Sequence, residues 1–280
     1  MKKKLALLLA AVMLLALPAC GSSGDSGGGE GEREVLRVAM SADYAPFDWI
    51  QEDDSNGAVR TTNGSYMNGY DVLIAQHIAD ALDMELEITQ IDWEGLILSI
   101  TSDRVDCAIA GLSITSERAQ SVDFTDPYYN ADIVLVVDES SPYTSAVNLT
   151  DLEGAVLTSA LNTVWYDVLD QITDFATKGT ALDTFAAMVS AVNAGTIDGF
   201  TCDYPSAMSL QITNPNLVIV DFSGGTGFEV SSEETDLGIA CQQGSDLVDQ
   251  INAVLAELSQ EDRDALMEQA VAAQPASALS

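Results

Sequence analysis

One arginine, Arg118, sits among hydroxyl-bearing residues in Ser113-Ile114-Thr115-Ser116-Glu117-Arg118. A guanidinium grips a planar carboxylate through two parallel hydrogen bonds, and free backbone N–H groups at a helix start attract the same anion. Thr115 or Ser116 can cap a helical turn that holds Arg118 just inside it. The stretch follows an apolar run at 105–110, so it falls at the carboxyl end of a strand, where open α/β sheets place ligands. Two readings stand: a carboxylate clamp, or a surface salt bridge to Glu117 or Asp123. The second candidate is Asp203, in Cys202-Asp203-Tyr204. It ends one apolar run and opens a helical pattern, so on its own it is also a plain N-cap.

Other chemistry is sparse. His77 is the single histidine, with no Cys or His near it, so no metal site is expected and no cofactor is called for. Cys107, Cys202 and Cys241 form no CxxC pair. Cys107 and Cys202 lie in apolar runs and suit core roles as small hydrophobes. A disulfide remains open.

These residues need elements to position them. Residues 35–40 read as a strand, and apolar spacing from Gly69-Tyr70-Asp71 onward reads as a helix. A strand at 84–91, a helix at 93–102 and a strand at 105–110 follow. That β-α-β-α-β order implies a parallel sheet covered by helices. A second set repeats the rhythm: strands at 133–137, 155–158, 197–202, 217–220 and 238–241, with helices at 162–175, 184–194, 204–210 and 247–258. The segment 103–113, DRVDCAIAGLS, echoes 195–206, GTIDGFTCDYPS. Residues 51–66 are polar and rich in turn formers, and read as a turn or hairpin extension. The tail 269–280 is expected to fray.

The amino terminus reads as a targeting segment. Lys2, Lys3 and Lys4 precede an apolar run that ends in Leu17-Pro18-Ala19-Cys20. Small residues before a cysteine resemble a bacterial lipobox, which makes residues 1–19 a signal peptide and Cys20 the lipidated residue. Residues 21–29 are Gly- and Ser-rich and form a flexible tether, within a leader region taken as 20–34. Loss of residues 1–19 removes three lysines and moves the formal charge from −34 to −37. Such a body does not bind nucleic acid through phosphates, and it is repelled by an anionic bilayer unless anchored.

A set of stretches in order resembles the family 3 extracellular solute-binding proteins, the receptors of polar amino-acid ABC importers. They are Ala42-Asp43-Tyr44-Ala45-Pro46-Phe47, Gly69-Tyr70-Asp71-Val72, Asp92-Trp93-Glu94-Gly95-Leu96-Ile97 and Val105-Asp106. The longest runs from Ala110 through Arg118 and on to Val122-Asp123-Phe124-Thr125-Asp126-Pro127-Tyr128-Tyr129, followed by Asp151-Leu152-Glu153-Gly154 and Gly238-Ile239-Ala240. The resemblance implies an α/β fold of the type II periplasmic-binding-protein kind: a two-lobe clamshell, each lobe a mixed, mostly parallel sheet flanked by helices. Lobe 1 is expected at 35–131 plus 222–280, and lobe 2 at 132–221.

The resemblance also implies roles. Tyr44 and Trp93 look like the aromatic walls of the ligand's side chain, though both types also suit a core. Gly111 and Ser113 resemble acceptors for its α-ammonium, Thr115 the N–H donor to its α-carboxylate, and Arg118 the clamp. Asn162 and Thr163 resemble further carboxylate donors, and Asp203 the partner of the α-ammonium. Leu161 stands where the family often has glycine. Ser41 stands where relatives that bind cationic side chains often carry Asp, and Ser159 is also uncharged, so a neutral polar or apolar side chain is the expectation.

The implied protein is a binding module and not an enzyme. It is a monomer, lipid-anchored outside the cytoplasm (at the cell surface or in the periplasm), that delivers one amino acid to a membrane permease. Two other readings are a dehydratase-like enzyme on the same fold, with Asp203 or Glu94 as its general acid, and a ligand sensor.

Overall fold

The computed structural model describes residues 33–222, 225–231 and 235–275. The signal segment, Cys20 and the tether lie outside the described residues.

Two five-stranded sheets organise the chain. The first runs Glu85–Gln90, Val35–Met40, Cys107–Ala108, Ala240–Cys241, Asp123–Phe124. Its first three strands are parallel, and Ala240–Cys241 runs against both neighbours. The second sheet repeats that plan in the order Thr177–Lys178, Val156–Thr158, Gly199–Asp203, Ile133–Asp138, Leu217–Val220. Again three strands are parallel and the fourth, Ile133–Asp138, is antiparallel to both neighbours. A short ladder pairs Tyr129–Asn130 with Asp236–Leu237. Residues 43–68 form a small four-stranded antiparallel sheet that includes the expected hairpin extension.

Local sequence explains the elements. Leu36, Val38 and Met40 are buried along Val35–Met40, the second strand of the first sheet. Val72, Ile74, Ala75, Ile78 and Ala79 line the inner side of helix Tyr70–Ala81. Gly69 precedes that helix at φ 136°, and a Cβ there would lie 2.1 Å from the Phe47 carbonyl oxygen.

The echo between 103–113 and 195–206 has a physical basis. The Asp106 carboxylate accepts from the Arg37 N–H at 2.8 Å, while its own N–H donates to the Arg37 carbonyl at 2.9 Å. Asp198 makes the same pair with Val156, at 2.8 Å each way. Each aspartate thus pins the start of a strand to its parallel neighbour. Asp106 also pairs with the Arg37 guanidinium.

Two expectations are corrected. The segment 162–175 is a short helix, Val164–Asp167, followed by 3₁₀ turns, Val168–Ile172. The chain end is ordered further than expected, because helix Gln260–Ala273 includes Gln269 and the residues after it. A capping box between Ser259 and Asp262 starts it, and Met267 and Ala270 are buried. Residues 276–280 lie outside the described residues. Cys107, Cys202 and Cys241 are free, buried thiols, with Cys107 and Cys241 opposite each other on adjacent strands.

Candidate functional site

The chemistry gathers where the carboxyl ends of the parallel strands of both sheets meet. Tyr44 arrives on a loop wrapped around Asp48. The buried Asp48 carboxylate accepts from the N–H groups of Ser41 (3.2 Å) and Ala42 (2.7 Å) and from the Ser41 hydroxyl (3.1 Å). Burial pushes that carboxyl up to about 6, and the neighbouring charge of Asp43 adds to the shift.

A second anchor fixes the loop after Cys107–Ala108. The Gly111 N–H donates to the Tyr128 hydroxyl (3.0 Å), which donates to Asp71 (2.8 Å). Both side chains are buried. Gly111 has φ 60°, and a Cβ there would lie 2.3 Å from Cε1 of Tyr44. The Gly69-Tyr70-Asp71 and Asp126-Pro127-Tyr128-Tyr129 stretches therefore support the site from behind.

Arg118 starts a 3₁₀ turn, and its N–H donates to the Thr115 hydroxyl at 3.2 Å. Its guanidinium donates to the Ser113 carbonyl (2.9 Å) and to the Asn162 carbonyl (3.1 Å). It lies 5.3 Å from the centre of the Trp93 ring. Among the described residues it joins no ion pair, so neither Glu117 nor Asp123 is its partner; Asp123 instead accepts from the Gly244 N–H. Burial lowers its pKa from the ordinary value.

Asp203 is fully buried and does two jobs. One oxygen accepts from the Ser206 N–H at 2.8 Å and caps helix Tyr204–Thr213. The other accepts from the Tyr44 hydroxyl at 2.6 Å. Burial raises its pKa, opposed by both hydrogen bonds. The Trp165 indole N–H donates to the same Tyr44 oxygen (3.3 Å), and Phe185 stacks on the Tyr44 ring at 5.8 Å. Asn162 has φ 57°, and its amide donates to Glu94 at 2.6 Å. The Thr163 hydroxyl donates to the Ala160 carbonyl at 2.7 Å.

Beside these contacts lies a cavity of about 410 Å³, within the usual range for small-ligand sites. Ser41, Asp43, Tyr44, Asp92, Trp93 and Glu94 form one wall. Ala160, Leu161, Thr163, Trp165, Asp183, Thr184 and Phe185 form the other.

Of the nine expected ligand contacts, Tyr44, Trp93 and Thr163 line this cavity. Gly111, Ser113, Thr115, Arg118, Asn162 and Asp203 do not line it, although Asn162 and Asp203 bond to the lining residues Glu94 and Tyr44. Arg118 and Asp203 are both engaged with protein partners. Each reaches across to the opposite wall's own polar atoms, because those atoms sit within hydrogen-bond range. The Thr115 N–H stays within its own loop and donates to the Ser113 carbonyl (2.9 Å).

The premise of an uncharged pocket also changes. Ser41 lines the cavity but bonds inward to Asp48, and Ser159 donates to the Thr201 carbonyl at 2.6 Å. The fixed charge comes from elsewhere, from Asp43, Asp92, Glu94 and Asp183. Sequence reasoning named neither Trp165 nor Phe185 nor Asp183. The only signal for the last two was the Thr184 helix start, which opens toward the cavity.

A family model described as bacterial extracellular solute-binding proteins, family 3, matches residues 36–271. The chain is 29% identical over 259 residues to the arginine-binding extracellular protein ArtP of Bacillus subtilis, covering 92% of this chain and 93% of that one. An amino acid ABC transporter substrate-binding protein from Streptococcus pneumoniae, solved bound to L-arginine, superposes with a TM-score of 0.73 at 28% identity, over 86% of this chain and 95% of that one. A cyclohexadienyl dehydratase of Pseudomonas aeruginosa is 37% identical, but over 97 residues only, or 35% of this chain and 32% of that one.

Proposed function

The chain belongs to the bacterial extracellular solute-binding proteins, family 3, and from that premise we propose that it closes two lobes on one free amino acid and delivers it to an ABC permease. The lobes are 35–131 with 222–280, and 132–221. Arg118 takes the α-carboxylate, helped by Thr115, Asn162 and Thr163. Asp203 takes the α-ammonium with Gly111 and Ser113. Tyr44 and Trp93 flank the side chain.

The supporting observation is the pair of bonds from Arg118 to Asn162 and from Tyr44 to Asp203. Each joins residues on the two sides of the cavity. An amino acid that offers a carboxylate to Arg118 and an ammonium to Asp203 replaces neutral partners with charged ones. It binds the closed form better than the open one, which is what a ligand needs to shift that equilibrium.

The remaining parts follow the same logic. Lipid on Cys20 anchors the body outside the cytoplasm, the tether lets it reach the permease, and a monomer suffices. We assign no reaction and no cofactor. The dehydratase likeness covers a third of the chain, and Asp203, one of its two candidate acids, is engaged as a helix cap.

The test is calorimetry on protein freed of carried-over ligand by unfolding and refolding, titrated with the twenty amino acids. One-to-one binding, with the amino acid recovered unchanged by mass spectrometry, is the expected result. Consumption of the titrant would favour an enzyme.

A further inference from the structure

We propose that the cavity selects an amino acid with a cationic side chain, a planar guanidinium above all, and that Asp43, Asp92 and Asp183 are its specificity-determining residues. The proposal rests on the amino-acid reading above and names the class of its ligand.

The charged side chains that line the cavity have one sign, although the Arg118 guanidinium lies beyond Trp93 at its edge. Asp43, Asp92, Glu94 and Asp183 all line it, and no lysine, arginine or histidine does. None of the four joins an ion pair among the described residues. Glu94 accepts a hydrogen bond from Asn162. Burial raises the Asp43 carboxyl, and the charge of Asp92 beside it adds to the shift. Among the described residues, the side chains of Asp92 and Asp183 join no ion pair. Asp43 and Asp92 come from one wall and Asp183 from the other, so a single cation between them attracts both.

A cleft with one sign of charge and low-dielectric walls concentrates its field on the ligand. An anionic side chain is repelled there, and a neutral one leaves adjacent carboxylates uncompensated. A cation relieves that repulsion. The apolar part of the wall sharpens the choice. Tyr44 and Phe185 stack 15° from parallel, and Trp93 and Trp165 add indole faces. Flat aromatic walls beside carboxylates suit a guanidinium, which stacks and donates in its plane, better than a compact ammonium. A bare metal ion is not the better occupant, because among the described residues no three of His, Cys, Asp or Glu are grouped to hold one.

The test titrates the refolded full chain with L-arginine, L-lysine, L-citrulline and L-glutamine. Citrulline keeps the shape of arginine and lacks its charge. Arginine is expected to bind about tenfold or more tightly than citrulline, with lysine between them. Asp43→Asn, Asp92→Asn and Asp183→Asn are each expected to narrow the arginine-to-citrulline ratio by about fivefold. Citrulline or glutamine binding as tightly as arginine overturns the cation assignment and leaves amino-acid capture standing. Absence of binding by all twenty amino acids overturns both. The wild-type ratio decides the matter even if a variant fails to fold.

Discussion

The Tyr44 hydroxyl donates a 2.6 Å hydrogen bond to Asp203, a residue 159 positions away on the other side of the cavity. It supplies one of two donors to a fully buried carboxylate; the Ser206 N–H supplies the other. Tyr44→Phe keeps the ring stack and removes that donor. The folded protein is expected to lose about 1–3 kcal/mol, the cost of stranding a buried acceptor. Urea denaturation measures it, and an unchanged midpoint would show that Asp203 finds another donor at no cost.

Gly111 leaves no room for a side chain. Its φ of 60° already disfavours one, and the added Cβ would meet the Tyr44 ring at 2.3 Å. Gly111→Ala is expected to cost at least about 1 kcal/mol of stability. It should also weaken amino-acid binding, since the ring it displaces lines the cavity. Thermal melts with and without ligand separate the two effects. Equal melting temperatures for both proteins in both conditions would contradict the packing described.

Stability should fall as pH rises through the mildly acidic range. The Asp48 carboxyl is raised by burial from 3.8 to about 6. Between those values the folded chain holds a proton that the unfolded chain has released, so its contribution is full below about pH 4 and lost by about pH 6. The difference amounts to about 3 kcal/mol at most. Asp71 and Asp203 are raised by burial as well and act in the same direction. The exposed carboxyls held low, such as Asp138 and Asp151, titrate below this window. Calorimetric melting temperatures from pH 4.5 to 7 should decline, and Asp48→Asn should flatten the slope. A melting temperature that climbs over that range would mean the buried carboxyls do not control it.

Much of the framework was legible because its signals are local. Alternating apolar residues marked strand Val35–Met40, and helical spacing marked Tyr70–Ala81. Helix Gln260–Ala273 escaped because it buries only Met267 and Ala270 among many charges, although the Ser259 and Asp262 box was readable. At the site, Tyr44, Trp93 and Thr163 were legible through family motifs. Asp183 and Phe185 come from a segment with no motif. The partners of Arg118 are carbonyl oxygens of Ser113 and Asn162, which every residue type carries and no sequence pattern reveals. The charge lining the cavity was not legible at Ser41 and Ser159 for a related reason: the fold brings it from Asp43, Asp92, Glu94 and Asp183.

The proposed function puts the membrane anchor on Cys20. Cells fed labelled palmitate should label the chain, and Cys20→Ser should abolish the label and release the protein from the membrane fraction. A single acyl chain binds only weakly, so retention demands more than one. Labelling that survives the substitution would place the lipid elsewhere.

The most direct test of the central claim is a crystal structure of the chain with its amino acid bound. The account predicts the α-carboxylate on the Arg118 guanidinium and the α-ammonium on Asp203, with the bonds from Arg118 to Asn162 and from Tyr44 to Asp203 broken or lengthened. An amino acid seated elsewhere, with both of those bonds intact, would contradict it.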